Sequence, residues 1–144
     1  MPAISYIGTV VAVSVATPAT EDASGFGALT YTTVGQMITF GETGDEAEDI
    51  TIPLLAGRTL HVNGAKNGGS RAFAYQYEVA DAGQVILRAQ NNSNVTVSVK
   101  ITDPDGKIEY FHGRVANIKR TERTSSAYKG EAGEFRVNSA VITV

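Results

Sequence analysis

The sequence predicts an all-β fold with one helix, a β-sandwich or barrel flanked by a short α-helix at about residues 81–91. Three observations carry this. Arg71, Phe73, Tyr75, Tyr77 and Val79 alternate with Ser70, Ala72, Ala74, Gln76 and Glu78, the period of a strand with one aromatic face. Val95, Val97, Val99 and Ile101 alternate in the same way with Thr96, Ser98 and Lys100. Between these segments lies the one strong helical pattern. Asp81 suits an N-cap, Gln84 stands three residues on as in a capping box, and Val85, Ile86, Leu87 and Ala89 form a short apolar stripe. Many strands with one helix point to a sandwich or barrel. Its expected core is Phe73, Tyr75, Leu87, Val97 and Val99.

The elements follow in order. Ile7 to Thr17 is rich in Val and Thr and ends at Pro18, so it reads as a strand. Thr20 to Gly27 is a small-residue loop. Leu29 to Phe40 reads as a second strand, with Gly35 as a bulge or a close approach. Gly41 to Asp49 is polar and acidic and reads as a loop. Ile50, Ile52 and Leu54 alternate with Thr51 and Pro53, which suggests a short edge strand. Thr59 to Val62 is a further strand candidate, and Asn63 to Gly69 is a turn-rich connection. Asn91-Asn92-Ser93-Asn94 stops the helix. Asp103-Pro104-Asp105-Gly106 has hairpin-turn chemistry, because Pro presets φ and Gly accepts a left-handed position. Lys107 to Ile118 returns as a strand, 119–131 is a polar, basic connection, and Gly133 to Val144 is the last strand.

At 144 residues the chain is long enough for one domain with a real core. No apolar run approaches the ~20 residues needed to span a bilayer. Met1 to Val15 lacks a basic region and is a poor signal peptide. The absence of Cys excludes disulfides, thiolate metal sites and Cys nucleophiles and fits cytosolic synthesis. The net charge of −3 argues against a general nucleic-acid binder. That charge is divided unevenly. Residues 1–57 hold seven acids and no Lys or Arg, while residues 58–144 hold eight acids and all 12 bases, so the two parts carry −7 and +4.

Each constellation that could carry chemistry has a plainer explanation. His61 and His112 are the only histidines, and a metal site would need a third ligand that the sequence does not supply. Glu42, Asp45, Glu46, Glu48 and Asp49 do not follow the spacing of a calcium loop and read as a solvated or interface loop. A hairpin turn accounts for all of Asp103-Pro104-Asp105-Gly106. Gly64, Gly68 and Gly69 lack the Lys-Ser or Lys-Thr of a phosphate-binding loop. Asn91 and Asn94 fit the glycosylation pattern, which means little without a signal peptide. No Gly-x-Ser-x-Gly elbow is present, and no catalytic role or cofactor is implied. Arg114, Lys119, Arg120, Arg123 and Lys129 form a basic stretch opposed only by Glu122. Tyr128 is its single aromatic, so it offers no stacking platform for bases. An intersubunit role opposite the acidic loop explains it better.

One ordered set of segments carries more. Gly25-Phe26-Gly27-Ala28-Leu29-Thr30-Tyr31-Thr32-Thr33-Val34-Gly35-Gln36 is followed by Ile38-Thr39-Phe40-Gly41-Glu42-Thr43-Gly44, Pro53-Leu54-Leu55 and Gly57-Arg58-Thr59. Asp81-Ala82-Gly83-Gln84, Leu87-Arg88, Asp103-Pro104-Asp105-Gly106 and Tyr110-Phe111 continue it. Together they resemble the tail tube proteins of long-tailed bacteriophages, from about Gly8 to Val144. The resemblance implies a single tail tube domain over 1–144, with an acidic strand and loop over about 1–57 and the sandwich core and helix over 58–144. It implies long loops or arms for intersubunit contacts, and hexameric rings stacked into a hollow conduit for DNA ejection. The expected partners are further copies of the chain, tape-measure and tail-tip or terminator proteins, and DNA that crosses the lumen without specific binding. No membrane partner is implied. The expected location is the virion tail, after synthesis in the host cytoplasm. A tube subunit of a gene transfer agent or tailocin fits the same residues. The expected interface sets Glu42, Asp45, Glu46, Glu48 and Asp49 against Arg114, Lys119, Arg120 and Arg123. The rival from another class is a stand-alone β-sandwich binding module, for example for carbohydrate, presenting Tyr75 and Tyr77.

Overall fold

The computed structural model describes residues 5–144. Residues 1–4, the start of the segment examined as a signal peptide, lie outside the described residues. In chain order the elements are β1 (Val10–Ser14), α1 (Ala23–Gly27), β2 (Thr32–Val34), β3 (Met37–Phe40), β4 (Glu46–Pro53), β5 (Thr59–Asn67), β6 (Ser70–Gln76), α2 (Ala82–Ala89), β7 (Val97–Thr102), β8 (Ile108–Arg120), β9 (Gly130–Val137) and β10 (Ile142–Thr143). The fold is all-β with short helices, and its strand pairs are antiparallel.

The main sheet runs β2-β1-β7-β8-β9-β6-β3, with β10 also paired to β8. Its two end strands, β2 and β3, are consecutive in sequence and separated only by Gly35 and Gln36. One extended segment therefore pairs with β1 on one side and β6 on the other, which curls the sheet around its contents. Gln36 takes a φ of 59° at this switch. The 13-residue β8 is the spine. Its first half lies between β7 and β10, and its second half pairs with β9.

The enclosed core joins Val11, Val13, Val34, Phe73, Tyr75, Leu87, Val97, Val99, Ile101, Phe111, Val115 and Phe135. It draws alternate residues from each strand, as a half-buried sheet requires. Val11, Val13 and Val34 come from the acidic first part, so the core is not confined to residues 58–144. Residue 57 lies in a hairpin turn and divides charge, not structure.

Five local expectations are corrected. The aromatic alternation ends at Gln76: Tyr77 is half-buried outside the core, and Val79 is 65% exposed. The loop at Thr20–Gly27 contains α1, capped by Asp22, whose Oδ1 accepts from Gly25 N at 2.7 Å and from the Thr20 hydroxyl at 2.9 Å. Those bonds hold the Asp22 carboxyl below its ordinary value. Phe26 of this helix is fully buried and stacks on Tyr110 at 5.6 Å, covering the outer face of β8. Gln84 does not close a capping box. Asp81 Oδ2 caps α2 by accepting from Gln84 N at 3.0 Å, while the Gln84 side chain points elsewhere. The last strand divides into β9 and β10.

The fifth correction is the largest. Glu46–Asp49 and Asn63–Asn67, read as loop and turn, belong to β4 and β5. These strands form a separate two-stranded sheet that reverses at Leu54–Arg58, where Gly57 adopts a φ of 94°.

Candidate assembly interface

The β4–β5 hairpin is an arm. Every residue of β4 is exposed, and so is all of β5 except the half-buried Gly64. Eight strand residues at ~3.3 Å each give a projection on the order of 25 Å. Its register sorts its two faces by chemistry. Ile50 lies opposite Val62, and Ile52 opposite Leu60, which makes an apolar face. The other face carries the pairs Asp49–Asn63, Thr51–His61 and Pro53–Thr59. The four apolar residues are each 43–47% exposed, Leu54 is 40% exposed, and Leu55 at the tip is fully exposed. A hairpin standing alone is marginal in water, and a row of exposed apolar residues on a free sheet marks a contact surface.

The acidic residues of the expected interface gather at the base of this arm. Asp45 precedes β4, Glu46, Glu48 and Asp49 lie on it, and Glu42 sits just before at the root. Asp49 pairs with His61 at 3.0 Å. Among the described residues the other four make no ion pair.

The basic residues do not form one patch. Arg114 on β8 donates to Asn94 Oδ1 at 2.7 Å. Lys119 and Arg120 end β8, and Arg123 lies in the loop beyond it. Arg120 and Arg123 meet Lys129 around a cleft of about 420 Å³ that Tyr77 and Tyr128 also line. Over the Tyr77 ring stand Arg88 at 5.0 Å, Arg120 at 5.3 Å and Lys129 at 5.0 Å. Arg88 is paired with Glu131 at 3.2 Å. Among the described residues Arg114, Lys119, Arg120, Arg123 and Lys129 have no ion-pair partner. Neither charged set is therefore neutralised by the other within the subunit. The sequence did not single out Arg88 or the role of Tyr77, because nothing in the spacing of 77, 88, 120 and 129 signals proximity.

A second cleft, of about 640 Å³, opens at the arm root. Val11, Met37, Phe40 and Ile101 supply apolar walls, and Glu42, Asp103 and Glu109 supply carboxylates. Thr43 donates its hydroxyl to Glu109 at 2.6 Å. Partial burial pushes the Asp103 carboxyl above its ordinary value, and the charges of Glu109 and Asp105 add to the rise.

No protein-family model and no curated protein matches the sequence. Solved structures do match the fold. A chain in the cryo-EM structure of the anti-feeding prophage baseplate is similar over 100% of this chain and 96% of its own length, with a TM-score of 0.64 at 11% identity. A chain in the sheath/tube terminator of the PVC extracellular contractile injection system, in its extended state, gives 0.69 at 8% identity over 100% and 98%. A chain in the sheath–tube complex of that system gives 0.64 at 8% identity over 99% and 91%. The likeness is one of fold. It spans nearly the whole of each chain.

The two histidines lie apart. His61 contacts Asp49 on the arm, and His112 Nε2 contacts Glu21 on the outer face of β8. Among the described residues no group of three or more His, Cys, Asp or Glu could hold a metal ion. No helix there is long and apolar enough to cross a membrane. What the arrangement can do is bind another protein surface through an apolar arm with acids at its base.

Proposed function

We propose that this chain is a structural, non-enzymatic subunit of a bacteriophage-type tail tube, whose hexameric rings stack into a hollow conduit for DNA. The observation that carries this reading is the arm of β4 and β5, which presents Ile50, Ile52, Leu60 and Val62 to solvent and has no covering element among the described residues. The fold shared with chains of a prophage baseplate and of contractile injection systems supports it. In this reading the arm reaches a neighbouring copy. The acids Glu42, Asp45, Glu46, Glu48 and Asp49 face Arg114, Lys119, Arg120 and Arg123 across a subunit boundary. Tape-measure and tail-tip or terminator proteins are the other partners, and the assembled location is the virion tail. DNA passes without specific binding, since every phosphate neutralised would add salt-dependent retention.

The carbohydrate-module reading loses its motive. Tyr75 is fully buried, and Tyr77 lies under three cations.

Negative-stain electron microscopy of the purified protein across a concentration series tests the proposal. Rings or tubes are the expected result. Replacing Ile50, Ile52, Leu60 and Val62 together by Thr should abolish them and leave the melting of the subunit almost unchanged. Wild-type protein that stays monomeric at every concentration, and in lysates with tail-tip proteins, would overturn it.

A further inference from the structure

The arm tip and the arm root are complementary in chemistry. The tip offers Leu54 and Leu55, the latter wholly exposed, and then Arg58. Arg58 makes no ion pair among the described residues. The root offers the 640 Å³ cleft, with an apolar floor and three carboxylates. Among the described residues Glu42, Asp103 and Glu109 have no cationic partner. The upward displacement of the Asp103 carboxyl agrees with a site that holds excess negative charge. Tyr6, Ile7 and Ile38 on the cleft wall are 78%, 87% and 52% exposed, so its mouth is apolar as well.

An arm of this length carries its tip far from its own root, and Glu42 and Thr43 of that root line the cleft. The arm's own tip therefore does not fill it. We propose that the arm tip of one copy inserts into the root cleft of a second copy, with Leu54 and Leu55 on the apolar floor and Arg58 among Glu42, Asp103 and Glu109. This rests on the reading that the chain assembles with itself. The two patches differ, so the contact is heterologous, and a joined pair keeps one free tip and one free cleft. Such a contact propagates instead of closing as a dimer. It also covers the apolar tip that no element among the described residues covers, and it fixes direction, because only a tip fits a cleft.

The absence of native Cys makes the test clean. A chain carrying Leu55→Cys and Ile38→Cys is assembled, oxidised and run on a non-reducing gel, beside each single variant. A ladder that continues beyond the dimer, seen only with both substitutions, is expected. Arg58→Glu should raise the protein concentration needed for assembly about tenfold, which corresponds to ~1.4 kcal/mol, and adding Glu42→Lys should recover most of it. Tubes that form without a ladder and ignore Arg58→Glu would overturn this inference and leave the tube reading standing. A dimer from Leu55→Cys alone would also overturn it, since tips would then meet tips. A ladder in open filaments without rings would uphold the contact and overturn the ring arrangement. Monomers under all conditions would end both.

Discussion

Gln84 is the residue on which most of the local order converges. It is fully buried. Its Oε1 accepts from Glu78 N at 2.9 Å and Arg88 Nη1 at 3.2 Å, and its Nε2 donates to Gly35 O and Gln76 O, both at 2.9 Å. One side chain thus ties α2 to the β2–β3 switch and to the end of β6. Gln84→Leu keeps the approximate volume but strips three backbone groups of their partner. At ~1–3 kcal/mol for each unsatisfied group, and with some relief from water, the loss should be roughly 3–5 kcal/mol by urea denaturation. A change no larger than that of the exposed Val85→Ala would refute the assignment. Two tyrosines give the protein an alkaline limit. Burial, with a smaller contribution from Tyr110, pushes Tyr31 from 10.0 up to about 12. Burial and then the hydrogen bond to Glu131, at 2.8 Å, push Tyr75 further upward. A folded value above the unfolded one means that the native state holds its proton longer. Their contribution is whole below pH ~10 and disappears as the pH climbs through the folded values. Stability should therefore fall between pH 10 and 12, and Tyr31→Phe should flatten that fall. Identical slopes for wild type and variant, in denaturation series over this window, would remove the tyrosine from the explanation.

At the scale of elements, α2 lies in close contact with β2. A Cβ on Gly83 would stand 2.4 Å from Thr33 O and 2.6 Å from Val34 Cα, so the helix sits where only glycine fits. Gly83→Ala should push α2 outward and draw Leu87 from the core, at a cost of at least ~1–3 kcal/mol, the range for overpacking. Faster amide exchange across Ala82–Ala89 would register the shift, and unchanged exchange would contradict it. Elements with a buried face were legible in the sequence. β6 and β7 announce themselves because Phe73, Tyr75, Val97 and Val99 alternate with polar or small residues, and α2 because Asp81 and Leu87 stand where a cap and a core contact should. The arm was less legible because neither face is buried in the subunit. Asn63 to Asn67 has the composition of a turn, and only pairing across Leu54–Arg58 makes it a strand. The clue was present in the mirrored alternation of Ile50 and Ile52 with Leu60 and Val62. Asn91 and Asn92 read as a helix stop, yet their side chains accept from Ile118 N and Asn117 N at 3.0 Å. They satisfy the β8 bulge between Ala116 and Lys119. No local pattern reports a bond across 25 residues or more.

The whole molecule is polarised in charge and in contact. Its −7 part supplies the root and first strand of the arm, and its +4 part supplies the cleft around Tyr77. The main sheet closes on itself through the β2–β3 segment, while the arm and the clefts stay open to solvent. Unpaired charges of opposite sign on separate surfaces orient encounters and set register. They add little to the stability of the subunit, because an exposed ion pair is worth about 0–1 kcal/mol and among the described residues no acid of the arm base pairs with a Lys or Arg. This separates two effects of one set of substitutions. Replacing Asp45 and Asp49 by Asn, with Glu46 and Glu48 by Gln, should shift the melting of the monomer very little and should slow or abolish tube growth. Salt should act in the same direction, since the screening length shortens to ~3 Å at 1 M. If the carboxylates lined the lumen instead, they would repel one another around the ring, and both neutralisation and salt would favour growth. Light scattering of assembly against ionic strength therefore decides by its sign. Growth that weakens with salt in the wild type, and is already weak and salt-insensitive in the variant, places the acidic arm base against a basic neighbour. Growth that strengthens with salt moves it to the wall of the channel.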